Sequence, residues 1–301
     1  MGGLLAVAGH EVALVARGEH LAALRRDGLT LQTPDVTHHL RLPVAAEPAK
    51  LGIRPDDVVL LGVKGNDTEA ALQSLARVAD PGITVVCLQN GVANERAALR
   101  HFADVYGICV MCPTTHLEPG VVRADCAPVA GILDIGRIPS GVDAAASRIA
   151  ADLTSAGFVS EPREQIMPWK YAKLLMNLGN AVRAVCGPSA QADELIGQVR
   201  AEAAAILDAA AITYVSTEQD AERRGDILQV RDKRSGSSSW QSLTRGTGSI
   251  EADYLNGEIV LMARELGLTA PLNERARRWA NVFATQRRAP GGLTVEEWLS
   301  S

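Results

Sequence analysis

Short apolar segments alternate with amphipathic helical segments along the first half of the chain, and this alternation limits the fold more than any other feature. Strands are predicted at residues 11–16, 58–63, 84–88, 107–111 and 129–135, and helices at 67–78, 93–101 and 142–156. Several strand segments are apolar on both faces, as strands buried in a parallel sheet must be. The pattern therefore predicts an α/β fold with a doubly wound, Rossmann-like parallel sheet. Residues 30–44 are predicted to add further extended structure.

The second half of the chain is predicted to be helical. Helical patterns cover residues 165–186, 190–212, 250–266 and 271–287, and Gly187 and Pro188 provide a stop signal after the first of them. A loop of small and basic residues lies at 231–240. We place the domain boundary near Glu161 and Pro162. This gives a dinucleotide-binding domain over residues 1–162 and an all-helical substrate-binding and catalytic domain over residues 163–301.

Composition and charge exclude several classes of protein. The 301 residues carry a formal net charge of −5, and the pI of about 5.7 argues against a nucleic-acid-binding surface. No apolar stretch approaches the roughly 18 residues of a membrane span. The first residues lack the basic segment of a signal peptide. We therefore expect a cytoplasmic protein that acts on a small molecule and binds neither nucleic acid nor membrane.

Cys109 and Cys112 form a C-x-x-C pair, and His116 follows, so a metal or redox site has to be considered. The sequence has no second C-x-x-C and no H-x-x-H. Residues three apart on a strand also point to opposite faces of the sheet. We interpret these cysteines as small buried hydrophobic residues and predict no metal site.

Lys173, Asn177 and Asn180 are spaced i, i+4 and i+7 in the first predicted helix of the second half. At about 100° per residue, their side chains lie within an arc of ~60°. Because Asn and Gly cost up to about 1 kcal/mol relative to Ala inside a helix, a solvated face would more simply carry Glu, Lys or Gln. The stripe indicates a site that orients a polar substrate and supplies a proton. Lys170, about one turn earlier on a similar face, is a competing proton donor.

Polar residues follow three of the predicted strands: Arg17, Lys64 and Asn90. Ligands of open α/β sheets bind beyond the carboxyl ends of the strands. After the second strand of a dinucleotide fold, Arg suits the 2′-phosphate of NADP and an acidic residue suits NAD, so Arg17 indicates NADPH and Glu19 is a mild counter-signal. Each residue alone also fits an exposed loop, a solvated strand end or an Asn-Gly turn. Together they favour a cofactor cleft.

The glycine-rich loop of a dinucleotide fold is incomplete in this sequence. Such a fold has a strand, then G-x-G-x-x-G, then a helix of about ten residues or more. Only Gly2 and Gly3 remain to contact cofactor phosphates, and no strand precedes them. Residues 4–8 allow little more than one helical turn before Gly9. The first strand and part of the loop are therefore predicted to be missing.

Several segments together resemble the ketopantoate reductase (2-dehydropantoate 2-reductase) family, whose members are NADPH-dependent enzymes of pantothenate biosynthesis. The resemblance implies a Rossmann-like domain followed by a 6-phosphogluconate dehydrogenase-like C-terminal domain. The segments that carry it are residues 9–18 (GHEVALVARG), 63–64 (VK), 88–91 (LQNG), 118–120 (EPG), 173–177 (KLLMN), 237–240 (SSSW) and 251–257 (EADYLNG).

The resemblance also implies a role for each candidate site residue. Lys173 would be the general acid that protonates the keto oxygen, and it is preferred to Lys170 because the family pairs this lysine with an Asn four residues on. Glu251 would be the second catalytic residue, a carboxylate that keeps the Lys173 amine charged and binds the substrate hydroxyl beside the cofactor. Carboxylates at a helix start are also explained by the helix dipole. The remaining roles are substrate binding by Asn177, Asn180, Asn90 and Ser239 (with Ser238 a close rival at the carboxylate), and cofactor binding by Gly2, Gly3, Arg17, Lys64, Asn90 and Glu251.

The leading hypothesis is the NADPH-dependent reduction of a small 2-keto acid, with 2-dehydropantoate, reduced to pantoate for pantothenate and coenzyme A synthesis, as the best guess. Two departures from the family pattern leave other substrates open. Asn180 follows Asn177 by three residues rather than four and precedes Ala181 rather than Pro, and residues 240–243 replace the usual Met and Asp. The alternatives are a reductase of another 2-keto acid, or a catalytically dead dinucleotide-fold sensor or interaction protein. The helical half could supply a homodimer surface.

Overall fold

The computed structural model describes residues 1–231 and 236–300, so part of the loop predicted at 231–240 lies outside the described residues. The predicted fold class is confirmed: a Rossmann-like α/β region is followed by a helical region. The strands are β1 (Leu14–Val15), β2 (Leu29–Gln32), β3 (Thr37–Leu40), β4 (Val44–Ala45), β5 (Val58–Leu61), β6 (Thr84–Cys87), β7 (Val105–Met111), β8 (Thr114–Thr115), β9 (Val121–Ala124) and β10 (Ile132–Arg137). The helices are α1 (Gly2–Val7), α2 (Gly18–Asp27), α3 (Thr68–Ala76), α4 (Asn94–Ala98), α5 (Ala144–Ser155), α6 (Met167–Asn177), α7 (Gly179–Cys186), α8 (Ala190–Ala209), α9 (Thr217–Arg224), α10 (Ser238–Thr244), α11 (Asn256–Glu265), α12 (Pro271–Thr285) and α13 (Val295–Ser300).

The main sheet has the strand order β10-β7-β6-β5. β5, β6 and β7 are parallel, whereas β10 runs antiparallel to β7. Helices cover both faces: α3 and α4 pack on one side through residues such as Leu72, and α1 and α5 on the other through residues such as Leu153. This explains why the sequence of β6 is apolar throughout, since Val85 and Val86 face opposite sides and both are fully buried.

Residues 30–44, predicted as additional extended structure, contribute to a second sheet. β2 pairs antiparallel with β3 and parallel with β9, and β8 completes the sheet. The sequence did not predict β8 and β9, because their pairing joins segments far apart in the chain, such as Thr30 and Val121. The strand predicted at 11–16 is reduced to β1, which pairs with β4. Within the described residues, β1 and the outer edge of β5 have no further strand partner.

Gly2 and Gly3 lie inside helix α1 rather than in a loop. A Cβ on Gly3 would come within 3.0 Å of Leu29 and 3.1 Å of Leu31, so its small size lets the helix approach β2 closely. A Cβ on Gly2 would lie 3.3 Å from Leu14. Both glycines therefore allow close packing of α1, and their role in cofactor binding stays a prediction.

The helical half is built around α7, which packs against α8, α10 and α12. The helix predicted at 165–186 is divided into α6 and α7 at Leu178, and the one predicted at 250–266 begins with a 3₁₀ turn, Glu251–Tyr254, before α11. Leu174, Leu178 and Phe283 are fully buried in its core. The sequence did not predict the short helices α9, α10 and α13. None of the helices in residues 1–231 and 236–300 is long and apolar enough to cross a membrane.

The proposed boundary near residue 162 lies between the last bridge to the sheet and the first helix of the second half. Val159 and Pro162 still form isolated bridges with Ile132 and Ile135 of β10. Helix α6 begins at Met167. Helix α6 therefore begins only a few residues after the chain leaves the sheet. Its contacts with the sheet place it across the carboxyl ends of β6 and β7.

Candidate active site

The turns after β5 and β6 meet the 3₁₀ turn Glu251–Tyr254 of the helical half. Gly91 has a φ of +81°, and a Cβ there would lie 2.8 Å from the carbonyl oxygen of Tyr254. A Cβ on Gly65 would lie 2.8 Å from the Tyr254 ring. Both glycines therefore allow the two halves of the molecule to approach closely where cofactor and substrate were expected to bind.

The region where the turns after β5 and β6 meet the 3₁₀ turn Glu251–Tyr254 is called the seam below. The three predicted asparagines form one hydrogen-bonded row across it. Asn177 Nδ2 donates a hydrogen bond to Asn90 Oδ1 at 3.0 Å, and Asn180 Nδ2 donates to Asn177 Oδ1 at 3.4 Å. Asn90 follows β6, whereas Asn177 and Asn180 belong to α6 and α7. The row explains why amides, which both donate and accept hydrogen bonds, occupy these positions rather than the usual surface residues.

Lys173 lies beside this row. It lines one small crevice together with Lys170, Asn90 and Gly91, at the carboxyl ends of β6 and β7. Its side chain is partly buried. The sequence had placed Lys173 on the same stripe as Asn177, and the structure brings it to the seam between the two halves rather than to the outer surface.

Lys170, the competing candidate, has a different environment. It is 3% exposed and forms an ion pair with Glu95 at 2.7 Å. Its Nζ also donates to the carbonyl oxygens of Gln89 at 3.0 Å and Ile108 at 3.1 Å. The three protons of the Lys170 ammonium are therefore donated to three acceptors of the protein. These contacts indicate a structural role for Lys170 and do not favour proton transfer to a ligand.

Gln89 and Asn94 extend the buried polar network beneath Asn90, and the sequence did not identify them as site residues. Gln89 Nε2 donates to Thr68 Oγ1 at 2.7 Å, Thr68 Oγ1 donates to Asn94 Oδ1 at 2.8 Å, and Asn94 Nδ2 donates to the Asn90 carbonyl at 3.0 Å. The sequence feature that could have identified them is the polar segment 89–95, which directly follows an apolar strand. The network fixes the backbone of the Asn90 turn.

Glu251 reaches the end of β5. Its Oε1 accepts a hydrogen bond from the Gly65 N–H at 3.1 Å, and the neighbouring Lys64 Nζ donates to Ser242 Oγ at 2.7 Å. Burial raises the pKa of Glu251, against the opposing effects of the Gly65 N–H and Lys64. Burial lowers the pKa of Lys64, and Glu251 partly offsets this. The predicted Lys64 and Glu251 therefore lie in one partly desolvated charged group.

Ser239 and Ser238 differ in exposure. Ser239 is buried in the first turn of α10, whereas the Ser238 side chain is exposed and Ser237 caps the helix. Burial favours Ser239 as the residue that faces the interior. Arg17 lies at the start of α2, directly after β1, with an exposed side chain. Both assigned roles stay predictions.

Cys109 and Cys112 pack in the hydrophobic clusters on opposite faces of the main sheet. Burial raises the pKa of both thiols, that of Cys109 to about 11. They are therefore protonated near neutral pH, and a protonated thiol is a poor nucleophile and metal ligand. Within residues 1–231 and 236–300, no group of three or more His, Cys, Asp or Glu is placed to hold a metal ion.

The strand ends suit part of a dinucleotide cofactor. Arg17, Lys64 and Asn90 follow β1, β5 and β6 at the carboxyl edge, and Gly62 leaves open space beside β5 because a Cβ there would contact nothing within 4 Å. These residues fit the adenosine phosphate, the ribose and the nicotinamide.

Comparison with known proteins gives one consistent family. A profile described as ketopantoate reductase PanE/ApbA matches residues 1–139, and its C-terminal counterpart matches residues 165–281. The 2-dehydropantoate 2-reductase of Halobacterium salinarum is 30% identical over 90% of both chains. That of Pyrococcus horikoshii is 28% identical over 97% of this chain and 95% of the relative.

Solved structures agree in fold. A PanE/ApbA family ketopantoate reductase from Ralstonia eutropha has 27% identity and a TM-score of 0.79, with 95% of each chain covered. D-mandelate dehydrogenase, solved with NADH and anilino(oxo)acetate, has a TM-score of 0.81 over 96% of this chain and 95% of the other. At 20% identity, the second similarity shows the fold alone.

Proposed function

The chain belongs to the ketopantoate reductase family of oxidoreductases, and on this premise we propose that it reduces a small 2-keto acid with NADPH. The best candidate substrate is 2-dehydropantoate, which would give pantoate for pantothenate and coenzyme A synthesis. The observation that carries the proposal is the hydrogen-bonded row of Asn90, Asn177 and Asn180, beside which Lys173 lines a small crevice with Lys170 and Asn90.

Lys173 serves as the general acid in this proposal. When bound, the reduced nicotinamide supplies a hydride to the carbonyl carbon. Negative charge then develops on the carbonyl oxygen, and a nearby ammonium both stabilises that charge and donates a proton to it. The Lys173 Nζ holds this proton. Its partly buried position strengthens the electrostatic effect relative to water.

The asparagines and Ser239 orient the substrate. Each carboxamide in the row offers a donor and an acceptor, which suits a ligand that carries a ketone and a hydroxyl. In this proposal Ser239 binds the substrate carboxylate and Glu251 binds the substrate hydroxyl. The contacts of Tyr254 with Gly65 and Gly91 exclude water from one side of the seam, and exclusion of water strengthens every charged contact inside it.

Arg17 and Lys64 support NADPH rather than NADH. Both are cations that follow a strand, Arg17 after β1 of the two-stranded sheet and Lys64 after β5 of the main sheet. A 2′-phosphate is bound there in dinucleotide folds that use NADP. Glu19 is exposed in the first turn of α2 and does not pair with Arg17 among the ion pairs of the described residues.

A turnover assay tests the proposal. We expect the purified chain to oxidise NADPH with 2-dehydropantoate, and to use other 2-keto acids less efficiently by kcat/KM. A higher kcat/KM with another 2-keto acid would keep the reaction class and replace the substrate.

A sensor without catalysis is the second candidate, because no strand lies between β1 and β5 in the described residues. NADPH fluorescence separates the two candidates. An increase in fluorescence on titration with the protein, together with turnover, supports the reductase. Binding without turnover of any 2-keto acid favours the sensor, and absence of binding at millimolar NADPH contradicts the cofactor assignment.

A further inference from the structure

Arg245 is a partly buried arginine without an acidic partner in the described parts of the chain. It follows α10, and its Nε donates to the Gln241 carbonyl at 3.4 Å. No ion pair involves it among residues 1–231 and 236–300, whereas most of the other partly buried arginines there have a carboxylate within 4 Å. Burial lowers its pKa. A desolvated cation without a counter-charge is costly unless a ligand supplies one.

Helix α10 places Arg245 against the sheet-forming half. Gln241, one turn earlier on the same face, accepts a hydrogen bond from the His116 N–H at 3.0 Å and donates to the Thr114 carbonyl at 3.0 Å. The adjacent Ser242 accepts the hydrogen bond from Lys64. The helix therefore spans from the hairpin at Thr114 to the end of β5, and Arg245 extends from its last turn.

Two histidines lie in the same region. The rings of His20 and His116 are 4.8 Å apart between centroids. His20 Nδ1 accepts a hydrogen bond from the Gly120 N–H at 2.9 Å, so in its neutral form the ring proton is on Nε2, which remains a donor. Burial lowers the pKa of both histidines, and the Arg245 charge lowers both further.

The two carboxylates near this group act on Lys64 rather than on Arg245. Burial lowers the pKa of Lys64 most, and the Arg245 charge lowers it further. Glu251 and Asp67 are the carboxylates that oppose this effect at Lys64, and neither pairs with Arg245. Such a group is suited to an anion with several oxygens, because a guanidinium binds phosphate through two parallel hydrogen bonds.

We propose that Arg245, Lys64 and His20 form a phosphate-binding cluster that holds a phosphate group of the dinucleotide from the helical half of the molecule. This inference rests on the proposed function. His20 lies in the first turn of α2, just after β1, and Lys64 follows β5, so the cluster lies over the carboxyl edge where the cofactor phosphates are expected. Cofactor binding then requires both halves of the molecule.

Binding of NADPH, NADH and pyrophosphate to matched variants tests the cluster. Arg245→Met removes the charge, Arg245→Lys retains it, and Arg278→Met removes an exposed charge on α12 as the control. We expect Arg245→Met to raise the NADPH Kd at least about tenfold, the usual loss for a charge-assisted hydrogen bond. Arg245→Lys should lose less, and Arg278→Met should bind as the wild type does. Circular dichroism verifies that each variant is folded.

The ligand series identifies which phosphate is bound. A larger loss for NADPH than for NADH supports a 2′-phosphate contact, and equal losses support a pyrophosphate contact. Unchanged binding of both dinucleotides to Arg245→Met overturns the cluster but leaves the proposed reductase intact. If the wild type binds no dinucleotide, the proposed function fails, and thermal stabilisation by pyrophosphate then decides the cluster: stabilisation lost in Arg245→Met supports it, and equal stabilisation of both proteins overturns it.

Discussion

Lys170 and Lys173 are one turn apart on α6, and their surroundings give them different roles. Their spacing could not separate them, because both fall on similar faces of one helix. The difference comes from Glu95, which lies far along the chain and pairs with Lys170 in the interior. The sequence did predict that Asn90, Asn177 and Asn180 belong to one site, and the structure brings them into one hydrogen-bonded row. It could not predict the buried partners Thr68 and Asn94.

At the scale of residues, we predict that Lys170→Met destabilises the protein by about 3–5 kcal/mol, because it leaves the Glu95 carboxylate buried without its partner. Lys173→Met, whose side chain is only partly buried, should change the free energy of unfolding by less than about 1 kcal/mol. Urea unfolding followed by circular dichroism measures both. Equal effects of the two substitutions would contradict the distinction between a structural and a catalytic lysine.

At the scale of elements, strands and helices with a strong local pattern were predictable, and those that depend on distant partners were not. β6 and α5 agree closely with their predicted ranges, whereas β8 and β9 exist because β9 pairs with β2. Helix α10 is short, and its contacts with Thr114 and Lys64 come from the other half of the chain. The sequence indicated a loop at Gly2 and Gly3, whereas both glycines lie inside α1 and allow it to pack closely.

The turn after β6 provides a prediction at this scale. Gly91→Ala should lower both stability and kcat. The residue has a φ of +81°, which is unfavourable for alanine, and the new Cβ would lie 2.8 Å from the Tyr254 carbonyl oxygen. Relief of this contact should displace the adjacent Asn90 and so lower kcat. Gly246→Ala is the matched control: its φ is +60°, and a Cβ there meets nothing within 4 Å. We expect the control to lose about 1–2 kcal/mol of stability from backbone strain alone and to keep its kcat. Equal losses of kcat in both variants would argue against the close approach at Gly91.

At the scale of the whole molecule, two halves meet over the carboxyl ends of the parallel strands β5, β6 and β7. Hydrogen bonds at this meeting edge involve five of the candidate site residues: Lys64, Asn90, Asn177, Asn180 and Glu251. The amino-terminal half contributes Lys64 and Asn90, and the helical half contributes the other three. The sequence predicted this division because the periodicity of apolar residues changes between the halves. It could not predict the seam itself, which depends on the approach of Tyr254 to two glycines.

The central claim is that Lys173 donates the proton to the reduced ketone, and the rate of NADPH oxidation with 2-dehydropantoate tests it most directly. Lys173→Met is compared with Lys50→Met, which removes an exposed lysine from the 3₁₀ turn Pro48–Lys50. We predict that Lys173→Met lowers kcat by about 10²–10⁴-fold, the usual contribution of a general acid, with an unchanged NADPH Kd, and that Lys50→Met leaves both constants unchanged. A Lys173→Met enzyme that keeps the wild-type kcat within a few fold would contradict the claim.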